Sequence, residues 1–261
     1  MRVSRILIFV AIALQACACK AGFEALLQSG DSEKKYAMAF DFFNKGKYSK
    51  AASLFESLAT FSTGSERDDT VNFYWGLSNY NNQDYITAES NFSSFMSSFP
   101  RSVFSEQAEF LKVDCMYKAT LRYELDQTPT YAAITAVSEY IIRHPEGVNS
   151  AVCQRMLEDL EERLDRKAFE NARLYYVMED YKASRVALKN VLKDDSENAF
   201  REDILYYAAM SSYKFADMSV PAKKKERFLV FVDDYFNFIG EYPESSYRKE
   251  LDGLYAKVKD N

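Results

Sequence analysis

Four cysteines and one histidine are the side chains in this 261-residue chain whose types suit redox or metal chemistry. Cys17 and Cys19 lie one residue apart, directly after the apolar run 6–14. A zinc site needs further ligands at characteristic spacings. The chain has only three other candidates, at unsuitable spacings: Cys115, Cys153 and His144. A disulfide between Cys17 and Cys19 would be strained because the pair is so close in sequence. The pair therefore predicts neither a metal site nor a redox centre.

The residues before the cysteine pair predict secretion. Arg2 and Arg5 form a positive start, and the apolar run 6–14 follows at once. This order of charge and apolar length is typical of a secretory signal. A helix that crosses a bilayer needs about 20 apolar residues, so this run is too short to span one. We predict that residues 1–16 are a signal peptide.

The cysteine pair itself resembles a lipid-attachment site. Leu14 lies three residues before Cys17 and Ala16 lies directly before it, as in a bacterial lipobox. The resemblance implies cleavage before the cysteine, then acylation of its sulfur and of the new amino terminus. Cys19 remains an alternative acceptor. Several acyl chains hold a protein stably on a membrane, so residues 17–32 are predicted to form a lipid-anchored tether with a short helix. No aspartate follows either cysteine, which by analogy with other lipoproteins implies the outer membrane.

Composition predicts a helical body without nucleic-acid or catalytic chemistry. The chain is 48% hydrophobic and 28% charged, which is ordinary for one or two globular domains. Its net charge of -6 and the lack of a basic stripe exclude nucleic acid as a partner. Only 8 Gly and 5 Pro interrupt it, and no stretch alternates with a period of two, so we predict an all-α fold. No nucleophile motif or phosphate loop occurs, and we predict no enzyme activity and no cofactor.

Two stretches, 42–58 and 79–95, share an internal spacing. Each has an anchoring tyrosine, an alanine three residues later and a phenylalanine seven residues later: Tyr48, Ala51 and Phe55, then Tyr85, Ala88 and Phe92. The pattern resembles the tetratricopeptide repeat, a helical hairpin with a tight turn and a small residue where the helices cross. Gly46 can adopt the positive φ of that turn, whereas the second copy has Gln83 there.

Weaker copies continue the repeat. Residues 130–147 place Tyr131, Ile134 and Ser138 at the same offsets, and 180–194 place Tyr181, Ser184 and Leu188 there. A last hairpin is predicted from 201–218 and 228–245, a cap from 245–258, and an insertion near 125–130. The anchoring tyrosines are spaced more widely than the usual period of about 34 residues. We predict a tetratricopeptide-like solenoid of about five irregular helical hairpins with a C-terminal capping helix.

One face of the first helices is predicted to bind a peptide. Apart from Glu33, the positions that face the concave side of this repeat are apolar or aromatic here: Tyr36, Phe40, Phe43, Phe73, Leu77 and Tyr80. The core-facing positions also carry apolar residues, among them Met38, Phe42 and Trp75. A helix exposed on one side would be polar there. The surplus indicates either an aromatic groove for a peptide or a face covered by the segment 22–30.

Three remaining features have open interpretations. The basic run 222–227 is either a charged helix start or a contact for an acidic partner. The charged run 158–167 has opposite charges at helical spacing and is interpreted as a solvated face. Cys115 and Cys153 lie in apolar helical patterns, where buried free thiols are expected, although a secreted protein could also form a disulfide.

The lipobox, short tether and irregular hairpins together resemble the BamD family of outer membrane protein assembly factors, over essentially the whole mature chain. The segments that carry the resemblance include "YAMAFDFFNKGKYSKAASLFESL", "YWGLSNYNNQDYITAESNFSSF", "EYIIRHPEG" and "KKKERFLVFVDDYFNFIGEYPESSY". The resemblance implies a non-enzymatic lipoprotein at the periplasmic face of the outer membrane. The partners it implies are a β-barrel insertase with periplasmic domains, other assembly lipoproteins and unfolded outer-membrane proteins.

The resemblance also divides the chain by role. It implies that the N-terminal repeats, 33–147, receive the C-terminal signal of unfolded barrel substrates. It implies that the C-terminal repeats and cap, 148–261, dock the insertase. Individual docking residues do not carry over, because the later repeats lack a motif that aligns them. Two other functions stay open: a glycan-binding helical-repeat lipoprotein of a nutrient uptake system, and a periplasmic repeat lipoprotein that coordinates cell-wall enzymes.

Overall fold

The computed structural model describes residues 22–61, 64 and 66–259, and within these ranges the chain is all-helical without a strand. After α1 (22–28) come α2 (Ser32–Asn44), α3 (Tyr48–Phe61), α4 (Asp68–Asn81), α5 (Tyr85–Ser98), α6 (Ser105–Lys118), α7 (Thr128–Arg143), α8 (Ser150–Val177), α9 (Tyr181–Asp194), α10 (Arg201–Asp217), α11 (Pro221–Glu241) and α12 (Arg248–Val258). Consecutive helices from α2 to α11 pair as five hairpins, and α12 packs on the last of them. The predicted tetratricopeptide-like architecture is confirmed.

The chain divides into two compact units. The first contains residues 1–120 and 129–154, and the second contains 121–128 and 155–261. The short segment 121–128, near the predicted insertion, is held in the second unit by Lys167, whose Nζ donates to the carbonyls of Tyr123 (3.1 Å) and Leu125 (2.6 Å). The structural division thus falls inside α8, whereas the boundary at 147/148 stays a prediction about function.

Three inter-helix turns share one backbone conformation. Gly46, Gln83 and Glu179 each lie two residues before an anchoring tyrosine, and each has a positive φ, of 70°, 63° and 62°. In every turn the next backbone N–H donates to the carbonyl five residues earlier, the pattern that closes a helix with a left-handed residue: Lys47 to Phe42, Asp84 to Asn79, and Asp180 to Tyr175. Gln83 and Glu179, which stand where the first turn has Gly46, therefore change the energy of the turn but not its backbone shape.

Small residues let the helices of the first two hairpins approach closely. Ala51, Phe55, Ala88 and Phe92 are all 0% exposed, as their shared spacing predicts. Gly76 packs against the Phe92 ring so closely that a Cβ on Gly76 would lie 2.8 Å from Phe92 Cε1. The large Phe92 on the second helix of this repeat therefore requires a small residue at position 76 on the first helix.

The third copy of the repeat is shifted by one residue from its predicted register. Tyr131 is 61% exposed, and the fully buried positions lie one residue before the predicted ones, at Thr130, Ala133 and Val137. Alignment on Tyr131 would place Pro129 at the positive-φ position of the turn. Proline holds φ near -65° and cannot take that conformation. The chain instead enters α7 from the loop 119–127, and the helix takes the register that buries Thr130, Ala133 and Val137.

In the second unit, the predicted small and large positions of the fourth copy, Ser184 and Leu188, are both 0% exposed. The predicted capping helix is present as α12. It is joined to the last hairpin by stacked rings, with centroids 4.5 Å apart for Tyr235 and Tyr255. Because α12 covers the apolar side of α11, it closes the end of the helical stack as caps of such repeats do.

One buried charge ties three helices of the second unit together. Asp234 on α11 is 5% exposed and accepts from Arg185 Nε (2.6 Å) on α9, while Lys189 Nζ lies 2.6 Å away. The hydroxyl of Ser212 on α10 donates to the same carboxylate. Burial alone would raise the pKa of Asp234, but the hydrogen bonds from these three side chains outweigh it and hold the pKa below its ordinary value.

Candidate functional site

The predicted anchor lies outside the described residues. The signal peptide 1–16, the acceptor Cys17 with its alternative Cys19, and the first part of the tether fall in the range before residue 22. The lipid-attachment site therefore stays a prediction from the sequence. The structural account of the candidate site concerns the aromatic face of the first unit.

The predicted groove residues of α2 form a chain of aromatic contacts. The ring centroids of Tyr36 and Phe40 are 4.9 Å apart, and Phe40 lies 4.7 Å from Tyr74 on α4. Phe43 contacts the same Tyr74 ring at 5.2 Å. Tyr36, Phe40, Phe43 and Tyr74 are all half-buried, so each has one side in the core and one side open. We call these four residues the aromatic face.

Tyr74 is the central residue of this face, and sequence reasoning missed it. Its ring also contacts Phe55, at 5.9 Å, and Phe104, at 6.4 Å. The prediction placed Phe73 on the groove instead, by counting fixed positions back from the turn. Tyr74 lies three residues before Leu77, also a helical spacing, and this signal was present in the sequence.

Phe73 lies in the core of the first unit. It is 2% exposed, and its ring stacks on Phe104 with centroids 4.4 Å apart and planes 9° apart. Leu77 is half-buried and packs against the same cluster, which includes Phe92 and Phe95. Phe73 therefore fixes the second hairpin to the residues that follow it, whereas Leu77 has surface left for a ligand.

Tyr80, the last predicted groove residue, belongs to a polar network. Its hydroxyl donates to Asp114 Oδ2 on α6 at 2.5 Å, and Lys118 Nζ lies 2.6 Å from the same oxygen. Burial, and then the hydrogen bond to Asp114, raise the pKa of Tyr80 above its ordinary value. Burial alone would lower the pKa of Lys118, but Asp114 and Tyr80 raise it, so the lysine stays charged. The half-buried ring of Tyr80 is thus held in one place.

A cation closes the start of the aromatic face. The guanidinium of Arg67 lies 4.8 Å from the centroid of the Tyr36 ring, and its Nη1 donates to both carboxylate oxygens of Glu33, at 3.0 and 2.9 Å. Both side chains of this ion pair are largely exposed, so the pair holds the guanidinium only weakly. The face therefore runs from a polar end at Arg67 to the apolar rings of Phe40 and Phe43.

The one aromatic residue of the segment 22–30, Phe23, pairs with Phe42 and not with a ring of the aromatic face. Phe23 packs edge-on against Phe42, with centroids 5.7 Å apart, and Lys50 Nζ lies 5.1 Å from the Phe23 ring. Leu26 and Leu27 join the same core cluster. Phe42 was predicted to face the core, so α1 covers a core-facing side of the first hairpin and extends its hydrophobic cluster.

The other chemically suggestive side chains have structural roles. Cys115 and Cys153 are buried free thiols, as expected, and burial raises their pKa values to about 12 and about 11. His144 Nε2 lies 2.9 Å from Glu109 Oε2, and its ring packs 4.7 Å from Tyr140. Among the described residues no group of three or more His, Cys, Asp or Glu side chains is placed to hold a metal ion.

Comparison with known proteins identifies the family. Within the described ranges, none of the helices combines the length and the apolar character that crossing a bilayer requires. A search of individual curated proteins gives no match to this chain. The family model of YfiO, described as an outer membrane lipoprotein, matches residues 28–228, which contain the whole aromatic face and the second unit as far as the first part of α11. The chain therefore belongs to the YfiO family of outer membrane lipoproteins.

Proposed function

We propose that this protein is a non-enzymatic scaffold of the outer-membrane β-barrel assembly machinery, in the manner of the BamD family that it resembles. Family membership over residues 28–228 is the observation that carries the proposal. In this proposal, an acylated Cys17, or Cys19, anchors the chain at the periplasmic face of the outer membrane. The first unit receives unfolded barrel substrates, and the C-terminal repeats dock the insertase.

The aromatic face supports the substrate role. Barrel strands alternate apolar and polar side chains, with aromatic residues near both membrane interfaces, and their apolar and aromatic side chains suit a surface of half-buried rings. Tyr36 and Phe43 expose part of each ring while their other sides rest on Phe40 and Tyr74. Rings that are already positioned lose little conformational entropy when a ligand binds. The face is therefore suited to an extended apolar-aromatic tail.

The proposed lipid anchor would allow the protein to work with weak contacts to its substrate and to the insertase. A substrate and an insertase held on one membrane-tethered protein meet at a high effective concentration, so neither contact needs high affinity. The predicted groove residues Leu77 and Tyr80 extend the binding surface along α4 beyond the aromatic face. Phe73 contributes from the core by holding α4 against Phe104.

Site-specific photocrosslinking tests the substrate role without deleting core contacts. A benzophenone-bearing phenylalanine analogue replaces Tyr36 or Phe43 in the full chain, and a labelled peptide with the C-terminal sequence of a barrel protein is added. Tyr131, which is 61% exposed in the same unit, is the matched control position. We expect crosslinks from positions 36 and 43 and only background from position 131. Equal yields from all three positions would contradict the placement of the substrate site.

Affinity purification of the detergent-solubilised protein tests the assembly role. The proposal requires co-purification of a β-barrel insertase. Recovery of a nutrient transporter instead would favour the glycan-binding alternative. Recovery of cell-wall synthases would favour the alternative that coordinates cell-wall enzymes. The two experiments are independent, because the crosslinking needs no insertase.

A further inference from the structure

A second surface, in the second unit, has a chemistry that the aromatic face does not explain. A groove of about 740 Å³ lies between α10, α11 and α12. Its volume falls within the range of about 300–1,000 Å³ that ligand-binding clefts occupy. Its apolar lining comes from all three helices: Tyr213, Phe228, Leu229, Val232, Tyr255 and Val258. We call this surface the lysine groove, after the charged residues at its rim.

The rim of the lysine groove is positively charged. Lys224 and Lys225 line it from α11, and Lys257 and Lys259 line it at the end of α12. Asp217 is the one acidic residue in the described lining, and its Oδ1 lies 3.5 Å from Lys224 Nζ. Four lysines and one aspartate thus meet on a chain whose net charge is -6. The groove therefore presents the charge opposite to that of the whole protein.

Helix stability does not account for the lysines on α11. Positive charges near the start of a helix oppose its dipole, and acidic residues are favoured there instead. The first turn of α11 contains no acidic residue. The basic run 222–227 forms the start of α11, which agrees with one of its two interpretations. Its Lys224 and Lys225 also line the groove, so the other interpretation, a contact for an acidic partner, stays open.

The floor of the groove is held in place before a ligand arrives. Tyr213 contacts Phe228 with centroids 5.7 Å apart, and Tyr255 stacks on the buried ring of Tyr235 at 4.5 Å. Leu229 is 61% exposed in the same groove and adds apolar surface beside these rings. Aromatic residues such as Tyr213, Phe228 and Tyr255 are enriched at the centre of protein interfaces.

We infer that the lysine groove binds a polypeptide segment of a partner protein in which carboxylates flank apolar side chains. The lysines of the lining come from two helices, Lys224 and Lys225 on α11 and Lys257 and Lys259 at the end of α12, and apolar side chains of all three helices share that lining. A peptide can place several carboxylates on either side of apolar side chains and so complement positive charges that come from two helices. A phospholipid carries its charge at one end of an apolar tail and complements them less well.

This inference deepens the proposed scaffold function and rests on it, because the lysine groove lies in the C-terminal repeats that are proposed to dock a partner. The family match ends at residue 228, so α12 and the rest of α11 lie outside it. The inference names a partner by its chemistry and places its site in the second unit, whereas substrate crosslinking concerns the first unit. Absence of peptide binding at the lysine groove would therefore leave the crosslinking result unaffected. Absence of crosslinking in the first unit would likewise leave the test of the groove unaffected.

Fluorescence anisotropy with the full-length protein tests the inference. The probe is a labelled peptide in which aspartates flank a central pair of leucines. One control peptide has lysines in place of the aspartates, and another has serines in place of the leucines. We expect saturable binding of the probe that weakens as NaCl rises from about 50 to about 300 mM, since salt screens exposed charges. Both control peptides should bind at least about tenfold more weakly.

Charge-reversal variants place the binding at the groove. Lys225→Glu with Lys259→Glu should weaken binding of the probe about tenfold or more. Lys182→Glu with Lys249→Glu changes the net charge equally at exposed positions away from the groove and should leave binding close to wild type. Leu229→Ala, which shortens an exposed side chain, should weaken binding without changing the salt dependence.

Three results would overturn the inference. The first is equal loss of binding in both charge-reversal pairs, which would reduce the effect to net charge. The second is equal binding of the acidic probe and its lysine-substituted control. The third is absence of probe binding together with groove-dependent binding to vesicles containing phosphatidylglycerol, which would assign the lysine groove to an anionic lipid.

Discussion

Replacing Gly76 with alanine should destabilise the first unit, because the new methyl group has no room. A Cβ at this position would lie 2.8, 3.1 and 3.2 Å from three carbons of the Phe92 ring. Phe92 is 0% exposed and its ring lies against Phe73 and Ala88 in one cluster. The ring cannot yield without displacing other buried side chains.

The expected cost is the difference between two opposing effects. Adding a methylene-sized group to a well-packed core costs about 1–3 kcal/mol, and overlap of Gly76 with three buried ring atoms places this case near about 2–3 kcal/mol. Alanine in place of glycine inside a helix gains about 1 kcal/mol. We therefore expect Gly76→Ala to lower the free energy of unfolding by about 1–2 kcal/mol.

Trp75 provides the assay, because it is the single tryptophan of the chain and precedes Gly76 directly. Urea unfolding followed by its fluorescence reports on the first unit. Gly253→Ala on α12 is the control for helix propensity, since nothing lies within 4 Å of its added Cβ. We expect this control to raise stability by about 0.5–1 kcal/mol, measured by circular dichroism.

A double mutant decides whether Phe92 is the cause. Phe92→Leu removes the ring atoms that the new methyl group would meet. If the overlap is responsible, Gly76→Ala should cost less in the Phe92→Leu background than in the wild type. Additive effects of the two substitutions would refute the reasoning, because residues without a shared contact show no coupling.

Three further predictions follow from individual contacts. Gln83→Gly and Glu179→Gly should each stabilise the protein by about 0.5–1 kcal/mol in denaturant unfolding, since a left-handed non-glycine residue costs about 1–2 kcal/mol and glycine loses part of that gain to backbone entropy. Asp234→Asn should destabilise by about 2–4 kcal/mol at neutral pH. Because the folded-state pKa of Asp234 is lowered, its contribution is present above the unfolded value of about 3.9 and is lost as pH falls through the folded pKa, so wild type and variant should converge in acid. Cys115 and Cys153 should resist iodoacetamide at about pH 8 and react after unfolding, since burial raises their pKa values to about 12 and about 11; rapid native alkylation detected by mass spectrometry would contradict this.

The hairpins were predictable because their signals are local. A tyrosine, a small residue three positions later and a large residue seven positions later describe one side of one helix, and this pattern identified the second helices of the first, second and fourth copies. The third copy shows the limit of the method. Tyr131 has the right residue type, but Pro129 excludes the turn that the alignment requires, and the helix lies one residue out of the predicted register.

The aromatic face was predicted in part. Tyr36, Phe40 and Phe43 lie together as expected, since helical periodicity places them on one side of α2. Periodicity does not distinguish Phe73 from Tyr74, because adjacent positions on a helix differ by about a quarter-turn. Burial by Phe104, which lies 31 residues beyond Phe73 and contacts it through the fold, decides which of the two rings faces the core.

Sequence alone determined the helical class and the spacing and turn positions of the first, second and fourth copies of the repeat, whereas the signal and its lipid-attachment pattern stay predictions. Each of these depends on residues within a few positions of one another. The tertiary structure decided what distant residues form together: Tyr80 with Asp114, Asp234 with Arg185, and Lys225 with Lys259 around one groove. A sequence pattern reports that a side is apolar or charged. Only the packing of whole helices determines which of those sides meet and which remain open to a partner.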